Sequence, residues 1–286
     1  MKYTFIRAEC KNHSITLLCK TLSVSTSGYY DWIDRPVSQR EKCNQRLLTK
    51  IRCFHKASHS IYGSPRIHKD LLDDGEEVSR HRVARLMKDS NIQSKVAKKF
   101  IITTNSRNTN APSPDHLKRN FRTVTKNQAW VSDTTFIRTR QGWLYLAVMI
   151  DLYSRHVIGW SMSDRNDTKL VSDTPIMAIW RRNGYKDAIV HSDQGSTYAS
   201  GHYQKLLIEN KLISSMSRKG ECHDNAVAES FFGSLKNELV EHEDYKTKVE
   251  AKKSLFQYIE VFYNRQRRHS YLGYVSPAEF ERASAH

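Results

Sequence analysis

The stretch QAWVSDTTFIRTRQGWLYLAVMIDL, residues 128–152, decides the fold of this chain. It contains two runs rich in β-branched, aromatic and aliphatic residues, Ala129–Thr139 and 143–152, joined by a short turn that contains a glycine. Such a pair predicts an antiparallel hairpin. A third run, 155–163, extends the hairpin to a three-stranded meander. The first strand carries a carboxylate, Asp133, among its apolar residues.

After the meander the pattern alternates between helical and extended segments, which predicts one mixed α/β unit. Strands are predicted at 188–192 and 212–217, so the sheet has five strands flanked by helices. The predicted helices of this unit span 167–182, 198–210, 224–239, 249–265 and a short segment capped by Ser276-Pro277.

The front of the chain predicts an all-α region with two candidate helix-turn-helix units, near 14–34 and 64–90. A plain helical hairpin is the alternative for the first unit. In the second, Ser64-Pro65 begins a helix with Leu72 among its inward residues, a glycine ends that helix, and Ser79 caps the next one. We divide the chain into four parts: a helical DNA-binding region (1–103), a linker (104–127), a catalytic core (128–245) and a C-terminal helical extension (246–286).

Positive charge is concentrated in the front of the chain. The formal net charge is +16, and residues 1–126 hold 25 Lys and Arg against 11 Asp and Glu, while residues 127–286 hold 21 against 19. This asymmetry favours a DNA-binding module over a generic basic surface. The predicted DNA contacts are Arg80, Arg82, Arg85, Lys98 and Lys99, for which a solvated charged face is the alternative.

Several classes of protein are excluded by what the sequence lacks. No apolar run approaches about 18 residues, and the first ten residues have no signal-peptide core, so we expect a cytoplasmic protein. No Gly-x-Ser-x-Gly elbow or phosphate-binding Gly-Lys-Ser/Thr loop occurs. The five cysteines are odd in number and scattered, which argues against a disulfide framework. A zinc site involving Cys43, Cys53, His55 and His59 is a weak alternative.

Three carboxylates carry the predicted chemistry: Asp133, Asp193 and Glu229. The two aspartates belong to strand-like segments and the glutamate to a predicted helix. Carboxylate oxygens select hard cations, so Mg²⁺ or Mn²⁺ is expected, and two such ions can catalyse an in-line phosphoryl displacement. Each acid alone is more often a cap or a salt-bridge partner. His191 could orient a ligand or be an ordinary strand histidine.

Two further residues share the predicted helical face of Glu229. Asn225 lies four positions before it and Lys236 seven positions after it, so both project from the same side of a helix. We predict that Lys236 binds a DNA phosphate and that Asn225 contacts DNA. An ordinary surface lysine is the alternative for Lys236.

At these residues the chain resembles the DDE transposases of bacterial insertion sequences, specifically their second-frame (OrfB) product, whose catalytic core is shared with retroviral integrases. The resemblance covers nearly the whole chain. The matching stretches are IYGSPRIHKDLL (61–72), WVSDTTFI (130–137), HSDQGSTY (191–198), DNAVAESFFGSLKNE (224–238) and YNRQRRHSYLGYVSPAEFE (263–281).

The resemblance implies an RNase H-like core with Asp133, Asp193 and Glu229 as metal ligands, and it supports the role of Lys236. It implies 3′-end cleavage at element termini followed by strand transfer, by at least a dimer bound to double-stranded DNA at the nucleoid. The upstream-frame (OrfA) product is an implied partner, because the active form in such families is a longer, frame-fused protein. Two alternatives stay open: a non-catalytic DNA-binding regulator that is active only when fused, and a ribonuclease H acting on RNA–DNA hybrids.

Overall fold

The computed structural model describes residues 1–95, 113–117, 123–183, 185, 187–217 and 225–284. The predicted contacts Lys98 and Lys99, and most of the predicted linker, lie outside these residues. Within them the front of the chain is helical and residues 129–216 contain one mixed sheet.

Six helices precede the sheet among the residues described, and the first was not predicted from the sequence. They are α1 (Lys2–Glu9), α2 (Ile15–Thr21), α3 (Thr26–Asp34), α4 (Gln39–Ala57), α5 (Ser64–Asp73) and α6 (Arg80–Asp89). The first three close around a small core that includes Ile6 and Tyr29. The apolar faces of α4, α5 and α6 instead join the hydrophobic core that lies on one face of the sheet.

The pair α5–α6 forms largely as the sequence predicts. Gly63 occupies the N-cap and Ser64 is the first helical residue of α5, while the Ser79 hydroxyl caps α6 by accepting from the backbone N–H of Arg82. Gly75 has a φ of +81°, the left-handed conformation that ends a helix and that glycine adopts without strain. One prediction is wrong: Leu72 is 43% exposed, because only Ile67 and Leu71 of α5 are buried.

The five-stranded mixed sheet is confirmed. Its strands are β1 (Ala129–Thr139), β2 (Gly142–Asp151), β3 (Val157–Ser163), β4 (Ile189–Ser192) and β5 (Ile213–Met216). Their order in the sheet is β3-β2-β1-β4-β5. The β1–β2 and β2–β3 pairs are antiparallel, whereas β4 pairs in parallel with both β1 and β5. The third strand begins two residues later than predicted, because Arg155 has a φ of +61° and belongs to the turn.

Helices cover both faces of the sheet. They are α7 (Thr168–Arg181), α8 (Gly201–Glu209), α9 (Ala226–Glu238), α10 (Lys248–Phe256) and α11 (Pro277–Ala283). Helix α7 approaches β3 so closely that a Cβ on Gly159 would lie 2.3 Å from the carbonyl oxygen of Thr174. The helix predicted for 249–265 is divided, because α10 continues as a π-helix over Gln257–Tyr263. The helix predicted from residue 198 begins at Gly201.

Part of the predicted linker lies against the open edge of the sheet. Within residues 113–117, the Pro114 carbonyl accepts from the backbone N–H of Met216, and the His116 N–H donates to the Ser215 hydroxyl at 2.9 Å. The edge strand β5 is therefore covered there, which protects its backbone groups from pairing with another chain.

Among the helices described, none is both long and apolar enough to cross a membrane. Cys10, Cys19, Cys43 and Cys53 are free thiols, and Cys222 lies outside the described residues.

Candidate active site

The parallel pairing of β1 with β4 brings two of the predicted carboxylates side by side. The last paired residues are Val131 and His191. Asp133 and Asp193 each follow two positions later in the same strand direction, just past the end of β4. The two strands run in the same direction, so the two carboxylates lie side by side at the same level of the sheet.

Local backbone groups hold both carboxylates. The Asp133 Oδ1 accepts from the N–H of Thr134 at 2.7 Å, and the Asp193 Oδ1 accepts from the N–H of Gly195 at 2.9 Å. A Cβ on Gly195 would lie 2.9 Å from that same oxygen, so a side chain at this position would displace the Asp193 carboxylate. Gly195 was not singled out from the sequence, although it belongs to the quoted stretch HSDQGSTY.

Burial and mutual repulsion disfavour ionisation of this pair. Burial, together with the negative charges of Asp193 and Glu229, raises the pKa of Asp133 to about 8, although the Thr134 N–H bond and the charge of Lys236 act to lower it. Burial also raises the pKa of Asp193. Oxygen ligands that repel one another and are partly shielded from water suit a hard divalent cation, which would favour their ionised forms. The donor set therefore fits Mg²⁺ or Mn²⁺.

Glu229 is more exposed than the two aspartates. It lies in the first turn of α9, on the exposed side of the helix and shortly after the undescribed residues 218–224. Its negative charge contributes to the raised pKa of Asp133. Within the described ranges, no three His, Cys, Asp or Glu side chains are grouped closely enough to hold a metal ion. The two aspartates are thus brought together, and Glu229 is near them without closing the ligand set.

Asn225 has an internal position rather than the helical face predicted for it. Helix α9 begins at Ala226, so Asn225 is its N-cap residue, and it is buried with its Nδ2 donating to the Ser132 carbonyl at 3.4 Å. Ser132 in turn contacts the hydroxyl of the buried Tyr198 at 3.2 Å. The start of α9 is therefore attached to the backbone directly before Asp133.

Lys236 lies beside the site, as its spacing from Glu229 predicts. Burial lowers its pKa, and the negative charges of Glu241 and Asp133 act in the opposite direction. Its Nζ also lies 5.5 Å from the centre of the Phe136 ring. The lysine is thus positioned between the carboxylates and an aromatic side chain on β1.

The His191 ring is buried, and its Nδ1 hydrogen-bonds with the Ser215 hydroxyl at 2.9 Å, which joins β4 to β5.

The three predicted arginines of α6 differ in their surroundings. Arg80 and Arg85 are exposed on α6. Arg82 is partly buried, and its guanidinium donates to the Asn44 Oδ1 of α4 at 2.7 and 3.1 Å.

The chain matches three family models. Two are described as integrase core domain, over residues 124–222 and 229–284, and one as HTH-like domain, over residues 42–100. Together with the mixed sheet and its paired aspartates, these matches define the class of protein: a DDE polynucleotidyl transferase with an integrase core.

Relatives identify the family. The transposase InsF of insertion sequence IS3A from Escherichia coli (strain K12) is 40% identical over 283 residues, 98% of each chain. The "Insertion element IS600 uncharacterized 31 kDa protein" of Shigella sonnei is 40% identical over 92% of this chain and 97% of that protein. The chain belongs to the IS3-type insertion-sequence transposases.

Among solved structures, the "CryoEM structure of simian T-cell lymphotropic virus intasome in complex with PP2A regulatory subunit B56 gamma" contains a similar chain. That similarity has a TM-score of 0.47 at 13% identity and covers 81% of this chain and 74% of the other. Values this low carry no functional argument.

Proposed function

We propose that this transposase catalyses Mg²⁺-dependent 3′-end cleavage and strand transfer at the ends of its insertion-sequence DNA. The observation that carries the proposal is the burial of Asp133 next to Asp193 at the point where β1 and β4 diverge. Two ionised carboxylates this close together repel each other in the absence of a cation, and bound divalent cations would compensate that repulsion.

In this mechanism Asp133 and Asp193 bind the cations and Glu229 completes the ligand set. Two divalent ions, when bound, activate the attacking oxygen and stabilise the leaving oxygen. In the first step a water oxygen attacks the phosphorus and the bond to the 3′ oxygen breaks, which leaves a 3′-hydroxyl. In the second step that hydroxyl attacks the phosphorus of a phosphodiester of another strand. The bond from that phosphorus to the 3′ oxygen of its own strand breaks, and the leaving 3′ oxygen takes up the proton lost by the attacking hydroxyl. Lys236 holds the DNA phosphate, and the N–H groups of Thr134 and Gly195 fix the two aspartates.

Recognition of DNA is assigned to the helical region 1–103, joined through 104–127 to the catalytic core 128–245 and its extension 246–286. Arg80, Arg85, Lys98 and Lys99 are proposed phosphate or base contacts. Synapsis of two element ends requires at least a dimer on DNA, acting at the bacterial nucleoid, with the upstream-frame (OrfA) product as a partner.

Substitutions of two arginines of α6 are expected to differ in their effects on DNA binding and on thermal stability. Arg85→Gln should weaken DNA binding and reduce the slope of log K against log salt by about 1, without loss of thermal stability. Arg82→Gln should also lower the melting temperature, because it removes the two hydrogen bonds to Asn44. Anisotropy titrations at several salt concentrations and thermal melts measure both effects. Equal salt slopes in wild type and Arg85→Gln would remove α6 from the DNA interface.

The proposed function is tested by a cleavage and strand-transfer assay on duplexes that carry the terminal repeats flanking the gene. We expect 3′-end nicks and joined products in Mg²⁺ or Mn²⁺, none in EDTA, and none from Asp193→Asn. Activity of Asp193→Asn near the wild-type rate would overturn the metal assignment.

The non-catalytic alternative has one observation in its favour, namely that Glu229 does not close the ligand set within the described residues. It is tested by assaying this chain beside a version fused to the upstream frame. Activity of the fused protein alone would show that the carboxylates need the added segment.

A further inference from the structure

One face of the β1–β2 hairpin carries aromatic and basic side chains that the proposed chemistry does not use. The register pairs Phe136 with Tyr145 and Arg138 with Trp143. Directly opposed residues, and alternate residues along one strand, project from the same side of a sheet, so these four side chains share one face. We call this set the hairpin cluster.

The hairpin cluster is open to solvent although its rings are large. Phe136 is 42% exposed and Trp143 is 48% exposed. Their rings meet edge to face, with centroids 5.0 Å apart and planes at 84°. Arg138 is also exposed, and it makes no ion pair in the described part of the chain. Exposed rings arranged in this way present flat apolar surfaces beside a cationic group.

The position of the cluster connects it to the carboxylates. Phe136 follows Asp133 by three residues on β1, about 10 Å along an extended strand, so its side chain projects from the opposite face of the sheet. Lys236, whose pKa responds to the charge of Asp133, has its Nζ 5.5 Å from the Phe136 ring centre. In the described part of the chain, β4 pairs with β1 only up to Val131, so β1 is a sheet edge beyond that residue. Lys236 belongs to a helix that packs on the Asp133 face, yet it reaches Phe136 on the other face. DNA whose phosphate lies at the carboxylates therefore reaches the hairpin cluster by passing around this edge.

We propose that the hairpin cluster binds unpaired bases of the DNA end next to the cleaved phosphate, by stacking on Trp143 and Phe136 while Arg138 contacts the backbone. This inference rests on the proposed function for the placement of the DNA. Bases stack on exposed aromatic rings whatever their sequence, and cationic side chains beside those rings track the phosphates. An apolar protein surface would offer no counter-charge to Arg138.

The test is binding without catalysis, so it stays separate from the cleavage assay. Two fluorescent duplexes of equal length are titrated in EDTA by anisotropy, one blunt and one ending in an overhang of about six nucleotides, within usual single-strand site sizes. The overhang is placed on either strand in turn. Wild type should prefer the overhang, and Trp143→Ala should bind it about 5- to 100-fold more weakly with blunt binding unchanged.

Two variants separate stacking from structural damage. Trp143→Phe keeps an aromatic ring and should retain most of the preference for the overhang. Trp180→Ala is the matched control, because Trp180 is an 83% exposed tryptophan of α7 that has no ring contact with the hairpin cluster. It should bind both duplexes as wild type does.

Photocrosslinking locates the contact without a variant. A 5-iododeoxyuridine in the overhang should crosslink on irradiation to the peptide that contains Phe136 or Trp143. The inference fails if Trp143→Ala binds the overhang as tightly as wild type, if it weakens both duplexes equally, or if the crosslink lies elsewhere. It also fails if Trp143→Ala lowers the oligomeric mass of the free protein, because the face is then an interface between protein chains.

Discussion

Replacing Asp133 with asparagine is expected to abolish DNA cleavage and, in the absence of metal, to make the protein more stable. The side chain is nearly isosteric, but it removes a carboxylate whose ionisation is opposed by burial and by Asp193 and Glu229. Loss of a metal ligand should lower the cleavage rate by on the order of 10³-fold, since bound cations supply several kcal/mol of transition-state stabilisation.

The sign of the stability change follows from the direction of the pKa shift. Asp133 has a pKa of about 8 in the fold against 3.8 in the reference state, so the folded protein holds this proton more tightly. Below about pH 4 the carboxyl is protonated in both the folded and the unfolded state, so it does not affect the free energy of unfolding. Between pH 4 and 8 only the unfolded state ionises freely, so the free energy of unfolding of wild type falls as the pH rises. The gain from Asp133→Asn should grow over the same window and reach about 1–3 kcal/mol at pH 7, since a partly exposed carboxyl keeps some contact with water.

Chemical denaturation at several pH values in EDTA measures this gain. Asp173→Asn is the matched control, because Asp173 is an exposed aspartate of α7, and it should change stability little at any pH. Addition of Mg²⁺ should stabilise wild type and have a smaller effect on Asp133→Asn, because a ligand that binds only the folded state adds its binding free energy to folding. A variant that is less stable than wild type in EDTA at pH 8 would contradict the account.

The sheet and the two aspartates were predictable because each depends on local patterns. Strand periodicity located β1, β2, β4 and β5 to within one residue at most ends, and the parallel pairing of β1 with β4 sets Asp133, inside β1, beside Asp193, just past the end of β4. Helix ends were less predictable, since they depend on which hydroxyl or glycine becomes the cap. Tyr198, for example, reads as the start of a helix but is drawn into the core beside Ser132.

The burial of Asn225 could not be predicted, because its cause is tertiary. The spacing of Asn225, Glu229 and Lys236 correctly predicts one helical face only if the helix already includes Asn225. In the fold, the Ser132 carbonyl engages the Asn225 amide and the helix begins one residue later. Likewise, the linker composition of 104–127 gives no indication that residues 113–117 pack against β5.

Three of the stretches that carry the family resemblance meet at one place. Arg66 comes from the stretch 61–72, Glu238 from 224–238 and Arg267 from 263–281. The Arg267 guanidinium donates to both carboxylate oxygens of Glu238 at 2.6 and 2.7 Å, and Arg66 approaches the same carboxylate at 3.5 Å. These residues are distant in sequence, so no periodicity or spacing argument could pair them.

This buried ion cluster explains why a tail so far from the carboxylates belongs to the active core. Arg267 also donates to Ser234, one turn before Glu238 on α9, the helix that carries Glu229 and Lys236. Burial acts to lower the pKa of Arg267, but the hydrogen bond to Glu238 outweighs it and raises the pKa above its usual value. Burial and the charge of Arg267 lower the pKa of His269 to about 2, so the neutral ring lies beside that guanidinium at 3.2 Å. The tail thereby fixes the C-terminal end of the catalytic helix.

Glu238→Leu is consequently expected to cost about 3–5 kcal/mol of folding free energy, because it leaves Arg267 and Arg66 buried without their shared carboxylate. Arg267→Met should cost less, since Glu238 keeps Arg66 and the hydroxyl of Tyr258, which donates to it at 2.7 Å. The double variant should cost less than the sum of the two single ones, because an apolar pair of similar volume restores packing and removes most of the uncompensated charge.

The matched control for this cycle is Arg140→Ala, which breaks a salt bridge to Asp244 between side chains that are both well exposed. Solvent screens that pair, so its loss should change stability by less than about 1 kcal/mol. Urea denaturation of the four variants gives the ordering directly, and the cleavage rate should fall with Glu238→Leu even at temperatures where it stays folded, because α9 then loses its attachment to the tail. If Glu238→Leu were no more destabilising than Arg140→Ala, the contacts of Glu238 with Arg267 and Arg66 would not stabilise the fold, and the resemblance of the tail to the family would need another physical cause.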